Sequence, residues 1–253
     1  MLRPIGMLDS GIGGLTVAQE IIKELPHENI VYIGDTLRCP YGSRTTAEII
    51  NFTLEMANFL LKKNIKLLIV ACNTATTFTL EILQKQLSIP VIGVIQPGAR
   101  TAIKLSNSKK IAVIGTEGTI RSEAYVKELT NLSPDIQVNS LACPLLVPAI
   151  EKGSFNDAEI LSIVTESLKP LKNKDIDTLI LGCTHYPIIK NIIAKVINDK
   201  IKIVSSGEET AKETKLLLNQ YNLINTCIEK PNYQFISTGK SKIFIKMVNR
   251  ILT

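Results

Sequence analysis

Short apolar runs alternate along the chain with segments in which apolar residues recur every three or four positions. The runs LLIVAC (67–72) and TLILGC (178–183) are apolar at almost every position, which is typical of strands buried on both faces of a parallel sheet. In residues 15–25 and 160–168 the apolar positions fall on one face of a helix. Repetition of strand and helix at this pitch predicts an α/β protein with parallel sheets covered by helices. The predicted strands are residues 4–8, 30–34, 66–71, 91–94, 111–114, 136–141, 177–181, 201–204 and 233–237.

Two places along the chain suggest a division into domains. Pro and Gly punctuate the end of a predicted strand at 95–98, and a second break follows at 205–207. These breaks predict a second α/β domain over residues 97–206 and a discontinuous first domain of residues 1–96 plus 207–253.

The chain also contains a weak internal repeat. Residues 67–76 read LLIVACNTAT and residues 178–187 read TLILGCTHYP, and in both an apolar strand is followed by Cys and then by polar residues that open a helix. If two similar halves face each other, Cys72 and Cys183 meet in one cleft.

Composition narrows the class of protein. The net charge is +6, but the lysines are scattered, Trp is absent and aromatic residues make up 5% of the chain, so we expect no nucleic-acid partner. A solvated basic surface explains the positive charge, and an anionic small substrate fits that charge equally well. Five cysteines without framework spacing predict reduced thiols and a cytoplasmic protein. The N-terminus lacks the layout of a signal peptide, and no apolar run is long enough to span a bilayer, so we expect no membrane association.

Cys72 and Cys183 are the leading candidates for chemistry. Ligands of parallel α/β sheets bind beyond the carboxyl ends of the strands, and both cysteines follow a predicted strand. A helix that begins there would favour a thiolate, which is the basic form of the side chain. Either cysteine alone could be a small buried apolar residue. The repeated context favours a pair that acts as acid and base on opposite faces of one carbon.

Other polar residues fall at the same strand ends. Asp9 and Ser10 follow the first strand, where Asp9 could cap the turn, orient a substrate ammonium or tune a cysteine. His185 could stabilise the Cys183 thiolate or accept its proton, whereas His27 is expected at the surface. Two scattered histidines and no CxxC pair predict no metal site. The remaining cysteines lack the strand–Cys–polar context and are predicted to be structural or incidental; they are Cys39, Cys143 and Cys227.

Five segments together resemble the conserved blocks of bacterial glutamate racemases, within the aspartate/glutamate racemase superfamily. In chain order they read LDSGIGGLTV, YIGDTLRCPYG, VACNTAT, VPAIEKG and LGCTHYP. The resemblance implies two flavodoxin-like domains that face each other across the active site, with no pyridoxal phosphate or metal. It also implies a homodimer that supplies D-glutamate for peptidoglycan synthesis.

The resemblance further implies a role for individual residues. Cys72 would remove the α-proton of D-glutamate and Cys183 that of L-glutamate. The groups that tune the thiols would be Asp9, Glu151 and His185. The residues that hold the substrate would be Asp9, Ser10, Tyr41, Gly42, Asn73, Thr74, Thr184 and His185.

Three rival interpretations remain open. An aspartate racemase would use the same chemistry on a shorter substrate. A Cys–His hydrolase or amidase, with His185 as base, would leave one cysteine segment without a purpose. A non-catalytic binding module is compatible with the fold but leaves two matched thiols unexplained.

Overall fold

The structure is a computed structural model that describes residues 3–153, 158–227 and 229–252. Within these residues the chain forms nine strands, all in parallel pairs. The strands are β1 (Ile5–Asp9), β2 (Ile30–Gly34), β3 (Leu67–Val70), β4 (Val91–Gly93), β5 (Lys110–Gly115), β6 (Gln137–Ala142), β7 (Thr178–Gly182), β8 (Lys202–Ser205) and β9 (Tyr233–Ser237).

Helices connect the strands. They are α1 (Leu15–Glu24), α2 (Thr46–Leu61), α3 (Asn73–Gln86), α4 (Ile95–Leu105), α5 (Glu117–Arg121), α6 (Ala124–Leu132), α7 (Leu146–Glu151), α8 (Ala158–Leu168), α9 (Lys190–Ile197), α10 (Ser206–Gln220) and α11 (Lys242–Leu252). Short 3₁₀ turns cover Lys169–Leu171 and Tyr186–Ile189. In the described part of the chain, no helix combines the length and apolar character that a membrane span requires.

The strands form two sheets with closely related topology. The first sheet has the order β4-β3-β1-β2-β9, and the second has the order β6-β5-β7-β8. If β5 to β8 are counted as strands one to four, both sheets contain the order 2-1-3-4 of doubly wound α/β folds. The first sheet adds β9 beyond β2. Cys72 therefore follows the third strand of its sheet, and Cys183 follows the third strand of the other.

A shared core lies between the sheets and their helices. The largest cluster of buried apolar side chains includes Met7 and Ile69 of the first sheet and Ile114 and Leu179 of the second. Central strands are buried along their whole length, as β1, β3 and β7 show. The apolar runs of the sequence thus become strands covered on both faces.

The prediction of parallel α/β architecture is confirmed, and every predicted strand is present with each end within one residue of the observed bound. The predicted domain boundaries fall inside helices, because residue 97 lies in α4 and residues 206–207 open α10. The first sheet draws its strands from both flanks of the chain, and the second draws its strands from residues 110–205. The division into domains at residues 97 and 206 stays a prediction.

Candidate active site

Cys72 and Cys183 line the same small cavity between the two sheets. Both are buried, with 5% and 6% of their surface exposed. The cavity measures about 10 Å³, room for about one water molecule, so a larger ligand requires the surrounding residues to move apart. Its lining consists of Ser10, Pro40, Tyr41, Gly42, Cys72, Asn73, Thr74, Thr116, Val147, Cys183, Thr184 and His185.

This position follows from the topology. In each sheet the first and third strands are neighbours whose following helices cover opposite faces, so a crevice opens between their carboxyl ends. Ser10 and Cys72 leave β1 and β3 at that crevice, and Thr116 and Cys183 leave β5 and β7 at its counterpart. The two crevices meet at the cavity.

Cys72 caps a regular helix. It is the N-cap residue of α3, and its Sγ accepts a hydrogen bond from the Ala75 backbone N–H at 3.4 Å. Its thiol donates to the Ser10 hydroxyl at 3.5 Å. Burial, and secondarily the charge of Asp9, raise the pKa of Cys72 to about 12. The thiol form is therefore the stable form of Cys72 in this closed site.

Cys183 has a different setting. The predicted helix after it begins as a 3₁₀ turn, Tyr186–Ile189, and becomes α-helical only from Lys190 in α9. Instead, His185 Nδ1 lies 3.8 Å from Cys183 Sγ, and His185 Nε2 lies 2.7 Å from Glu151 Oε1. Burial alone would lower the pKa of His185, but its hydrogen bonds to Cys183, Cys39 and Glu151 raise it well above its usual value. A histidine cation beside a sulfur stabilises the thiolate.

The site has two halves, the first made of residues that follow strands of the first sheet and the second of residues that follow strands of the second sheet. Asp9 joins these two halves. It is fully buried, its Oδ1 accepts from the Gly11 N–H at 2.8 Å, and its Oδ2 accepts from the Thr184 hydroxyl at 3.0 Å. Burial raises the pKa of Asp9, although the nearby His185 charge opposes the shift. Close approach of the halves also needs Gly13, since a Cβ at that position would overlap His185 Nδ1 and Thr184 Oγ1.

Tyr41 and Gly42 form one wall of the cavity. The Tyr41 hydroxyl donates to Asp35 Oδ2 at 2.5 Å, and Arg38 pairs with the same oxygen. The Gly42 carbonyl accepts from the Gly118 N–H at 3.0 Å, which links this loop of the first half to α5 of the second. The loop is thereby fixed against both sheets.

Thr74 lies in a cluster of three hydroxyl groups. Its Oγ1 is 2.8 Å from Thr116 Oγ1 and 3.1 Å from Thr119 Oγ1. Thr116 and Thr119 are not among the site residues predicted from the sequence. Their signal was the polar segment TEGT directly after β5, which is another strand end at the crevice.

The other predicted groups also have clear places. Asn73 is buried beside Cys72, and its Oδ1 accepts from the Tyr125 hydroxyl at 2.8 Å. His27 is exposed, as predicted. Cys143 is buried in the core cluster, and Cys227 is half-buried in the segment after α10. All five cysteines are free.

Cys39 lies closer to the site than the sequence suggested. Its thiol donates to Glu151 Oε1 at 3.5 Å. Together with His185 these residues form a group whose ligand-type atoms lie within 4.8 Å of one another, a composition compatible with a metal ion. The expectation of no metal rested on the scarcity of ligand residues, and the fold brings three of them together. The short His185–Glu151 contact is that of a hydrogen-bonded ion pair.

The fold and the site define an α/β enzyme class in which two buried thiols share one cavity between paired parallel sheets. The model of the Asp/Glu/Hydantoin racemase family matches residues 6–214, and the chain belongs to this family. It is therefore a racemase.

Individual relatives agree over nearly the whole chain. A curated glutamate racemase from Oceanobacillus iheyensis is 52% identical over 99% of this chain and 92% of the relative. The crystal structure of a glutamate racemase isoform from Bacillus anthracis superposes with a TM-score of 0.94 at 48% identity, covering 99% of this chain and 94% of the other. The glutamate racemase of Francisella tularensis, solved in complex with D-glutamate, gives a TM-score of 0.91 at 38% identity, covering 99% and 93%.

Proposed function

We propose that the chain interconverts L- and D-glutamate without a cofactor, with Cys72 and Cys183 as the two acid–base groups. One observation carries the proposal: two buried thiols leave equivalent strands of two related sheets and line the same cavity. The similarity to curated glutamate racemases supports glutamate as the substrate.

The reaction moves one proton on each face of the α-carbon. The Cys72 thiolate takes the α-proton of D-glutamate, and the Cys183 thiol delivers a proton to the opposite face, which yields L-glutamate and a Cys183 thiolate. The reverse direction exchanges the two roles. Because the α-proton is only weakly acidic, fixed donors in a site closed to water must stabilise the carbanion.

The neighbours of the thiols supply the remaining functions. Asp9, Glu151 and His185 tune the two sulfurs, the last two as an ion pair on the Cys183 side. Burial opposes ionisation of Glu151, yet its hydrogen bond to His185 lowers the pKa of the carboxyl. The groups that bind the amino acid are Asp9, Ser10, Tyr41, Gly42, Asn73, Thr74, Thr184 and His185.

The cellular setting is part of the same proposal. D-glutamate made here would supply peptidoglycan synthesis in the cytoplasm, and the chain would act as a homodimer without nucleic-acid or membrane partners. The five free thiols fit a reducing compartment. Sedimentation of the purified chain at micromolar concentration would measure its mass, and a purely monomeric active species would contradict the dimer.

Optical rotation tests the activity directly. Pure L-glutamate and pure D-glutamate should each decay to the racemate with protein dialysed against chelator and hydroxylamine. The double variant Cys72→Ala, Cys183→Ala, purified in the same way, controls for a contaminating racemase. An absorbance band of a pyridoxal Schiff base, or activity lost on chelation and restored by metal, would overturn the cofactor-free proposal. Racemisation of aspartate in preference to glutamate would overturn the substrate.

A further inference from the structure

Tyr125 touches both cysteine segments without lining the cavity. It lies in α6 of the second half and is 2% exposed. Its hydroxyl donates to Oδ1 of Asn73, the residue after Cys72, at 2.8 Å. Its ring packs over Gly182, the residue before Cys183, where an added Cβ would lie 3.1 Å from Tyr125 Cε2.

The side-chain amide of Asn73 is hydrogen-bonded at its oxygen but not at its nitrogen. Its side-chain Nδ2 is buried and makes no hydrogen bond within the described residues. An unpaired buried donor is costly, and native structures retain one where another requirement is served. Asn73 lines the cavity, so the end that Tyr125 does not hold is the end available to a ligand.

Packing alone does not require the hydroxyl of Tyr125. A phenylalanine ring would fill the same volume, whereas a buried tyrosine hydroxyl needs a partner, and here that partner is the Asn73 amide. Burial, and secondarily the charge of Cys183, raise the pKa of Tyr125, so its hydroxyl remains a neutral donor at working pH.

We propose that Tyr125 is a positioning residue, which fixes the Asn73 carboxamide with its NH₂ directed at a carboxylate oxygen of the bound amino acid. The inference rests on the proposed function, because it assigns the Asn73 NH₂ to the substrate of that reaction. It adds a residue of the second half that orders a binding group of the first.

A double-mutant cycle tests this assignment. Tyr125→Phe, Asn73→Ala and the double variant are compared with the unmodified protein in glutamate racemisation. Tyr125→Phe should raise KM for both enantiomers about fivefold to tenfold and change kcat by less than about twofold, because a contact present in ground and transition states affects mainly KM. In the Asn73→Ala background, Tyr125→Phe should change KM by less than about twofold, because the group it positions is gone.

A second buried tyrosine provides the matched control. The Tyr186 hydroxyl donates to the Cys143 carbonyl at 3.2 Å and does not contact Asn73. The double variant Tyr186→Phe, Asn73→Ala should show a fold-change in KM equal to the product of the fold-changes of the two single variants. If Tyr125→Phe does not fold, as judged by urea unfolding, 3-fluorotyrosine at position 125 replaces it, since it keeps the ring and the hydroxyl, adds one fluorine atom and makes the hydroxyl a stronger donor.

The outcomes are distinct. Independent effects of Tyr125→Phe and Asn73→Ala on KM, or a Tyr125→Phe variant that loses stability with unchanged KM, would overturn the positioning role and assign Tyr125 to the core. Failure of the unmodified protein to racemise glutamate would instead refute the proposed function.

Discussion

The Cys72 half and the Cys183 half of the site share a topology but differ in chemistry. Each cysteine follows the third strand of its sheet. After Cys72 the Thr76 N–H bonds back to the Cys72 carbonyl, four residues away, and an α-helix begins. After Cys183 the Tyr186 N–H bonds to the Cys183 carbonyl, three residues away, and a 3₁₀ turn containing Pro187 follows. The repeated fold thus fixes where the sulfurs lie, and the following residues fix their surroundings.

The consequence is electrostatic. Cys72 has Asp9 as its charged neighbour, and burial with that charge keeps the thiol protonated. Cys183 lies beside the His185–Glu151 pair, in which the imidazole is held as a cation. Under the two-base proposal, this difference favours Cys183 as the base and Cys72 as the acid when L-glutamate is the substrate.

Replacement of either cysteine by serine should cause the largest loss of racemase activity among these predictions. Cys72→Ser and Cys183→Ser should each reduce racemisation by about 10²- to 10⁴-fold, since a hydroxyl is a far weaker acid than a thiol. The α-proton exchange that remains in the two variants should favour opposite enantiomers of glutamate. In heavy water, Cys183→Ser should retain more α-proton exchange from D-glutamate, and Cys72→Ser should retain more from L-glutamate.

This pair of variants discriminates between the mechanisms. A hydrolase or a one-base enzyme predicts one inactive variant and one nearly normal variant. Equal, non-stereoselective residual exchange would refute the assignment of faces, and full activity of either serine variant would refute the two-base mechanism.

Removal of the histidine cation should weaken only the Cys183 half. His185→Asn should lower kcat/KM by about tenfold to a hundredfold. The enantiomers have equal free energy, so kcat/KM falls equally in both directions, and the asymmetry must be sought in isotope effects. The deuterium isotope effect on kcat/KM should grow with α-deuterated L-glutamate, whose deprotonation by Cys183 is slowed. It should fall with α-deuterated D-glutamate, because deprotonation by Cys72 then limits the rate less.

Ser10→Ala is the matched change on the other side, because Ser10 is the hydroxyl partner of Cys72. It should enlarge the isotope effect with α-deuterated D-glutamate instead. An isotope effect that grows for the same enantiomer in both variants would contradict the separation of the two halves.

Cys39 tests how far the Cys183 half extends. The sequence predicted a structural or incidental thiol, and the structure places it against Glu151, the partner of His185. Glu151 keeps its His185 contact and the Ile12 N–H without Cys39, so Cys39→Ala should retain at least about a third of the activity in folded protein, a loss below about 1 kcal/mol. Cys143→Ala and Cys227→Ala should retain as much. Abolished turnover in folded Cys39→Ala would require a third thiol in the mechanism.

The sequence predicted the fold and most residues that line the candidate site for one physical reason. Strand ends are marked locally by an apolar run that meets polar residues, and parallel topology gathers those ends, as with Asp9, Cys72 and Cys183. Thr116, directly after β5, carries the same signal. Tyr125 carried none, because its role depends on which residue of the other half its hydroxyl reaches. The sequence does not distinguish the 3₁₀ turn after Cys183 from the α-helix after Cys72, because a similar Cys-polar pattern precedes both.

Alkaline pH should reveal the buried Cys72 thiol through the stability of the protein rather than through its activity. An unfolded thiol has a pKa of about 9, whereas burial raises that of Cys72 to about 12, so between these values the folded chain binds more protons than the unfolded chain. The stabilisation is fully present below pH 9 and is lost as the pH rises towards 12. Each such thiol contributes a fall of about 1.4 kcal/mol per pH unit in the free energy of unfolding.

Urea unfolding at intervals from pH 8 to pH 10.5 measures this slope. Lysines and buried tyrosines also titrate in that range, so the informative quantity is the difference between variants. Cys72→Ser removes the ionisable group at nearly constant volume and should flatten the slope by about 1 kcal/mol per pH unit. Ser10→Ala alters the same contact but keeps the thiol, and it should retain the slope. If the slopes of Cys72→Ser and Ser10→Ala are equal, Cys72 is not held as a buried thiol, and the electrostatic contrast between the halves is lost.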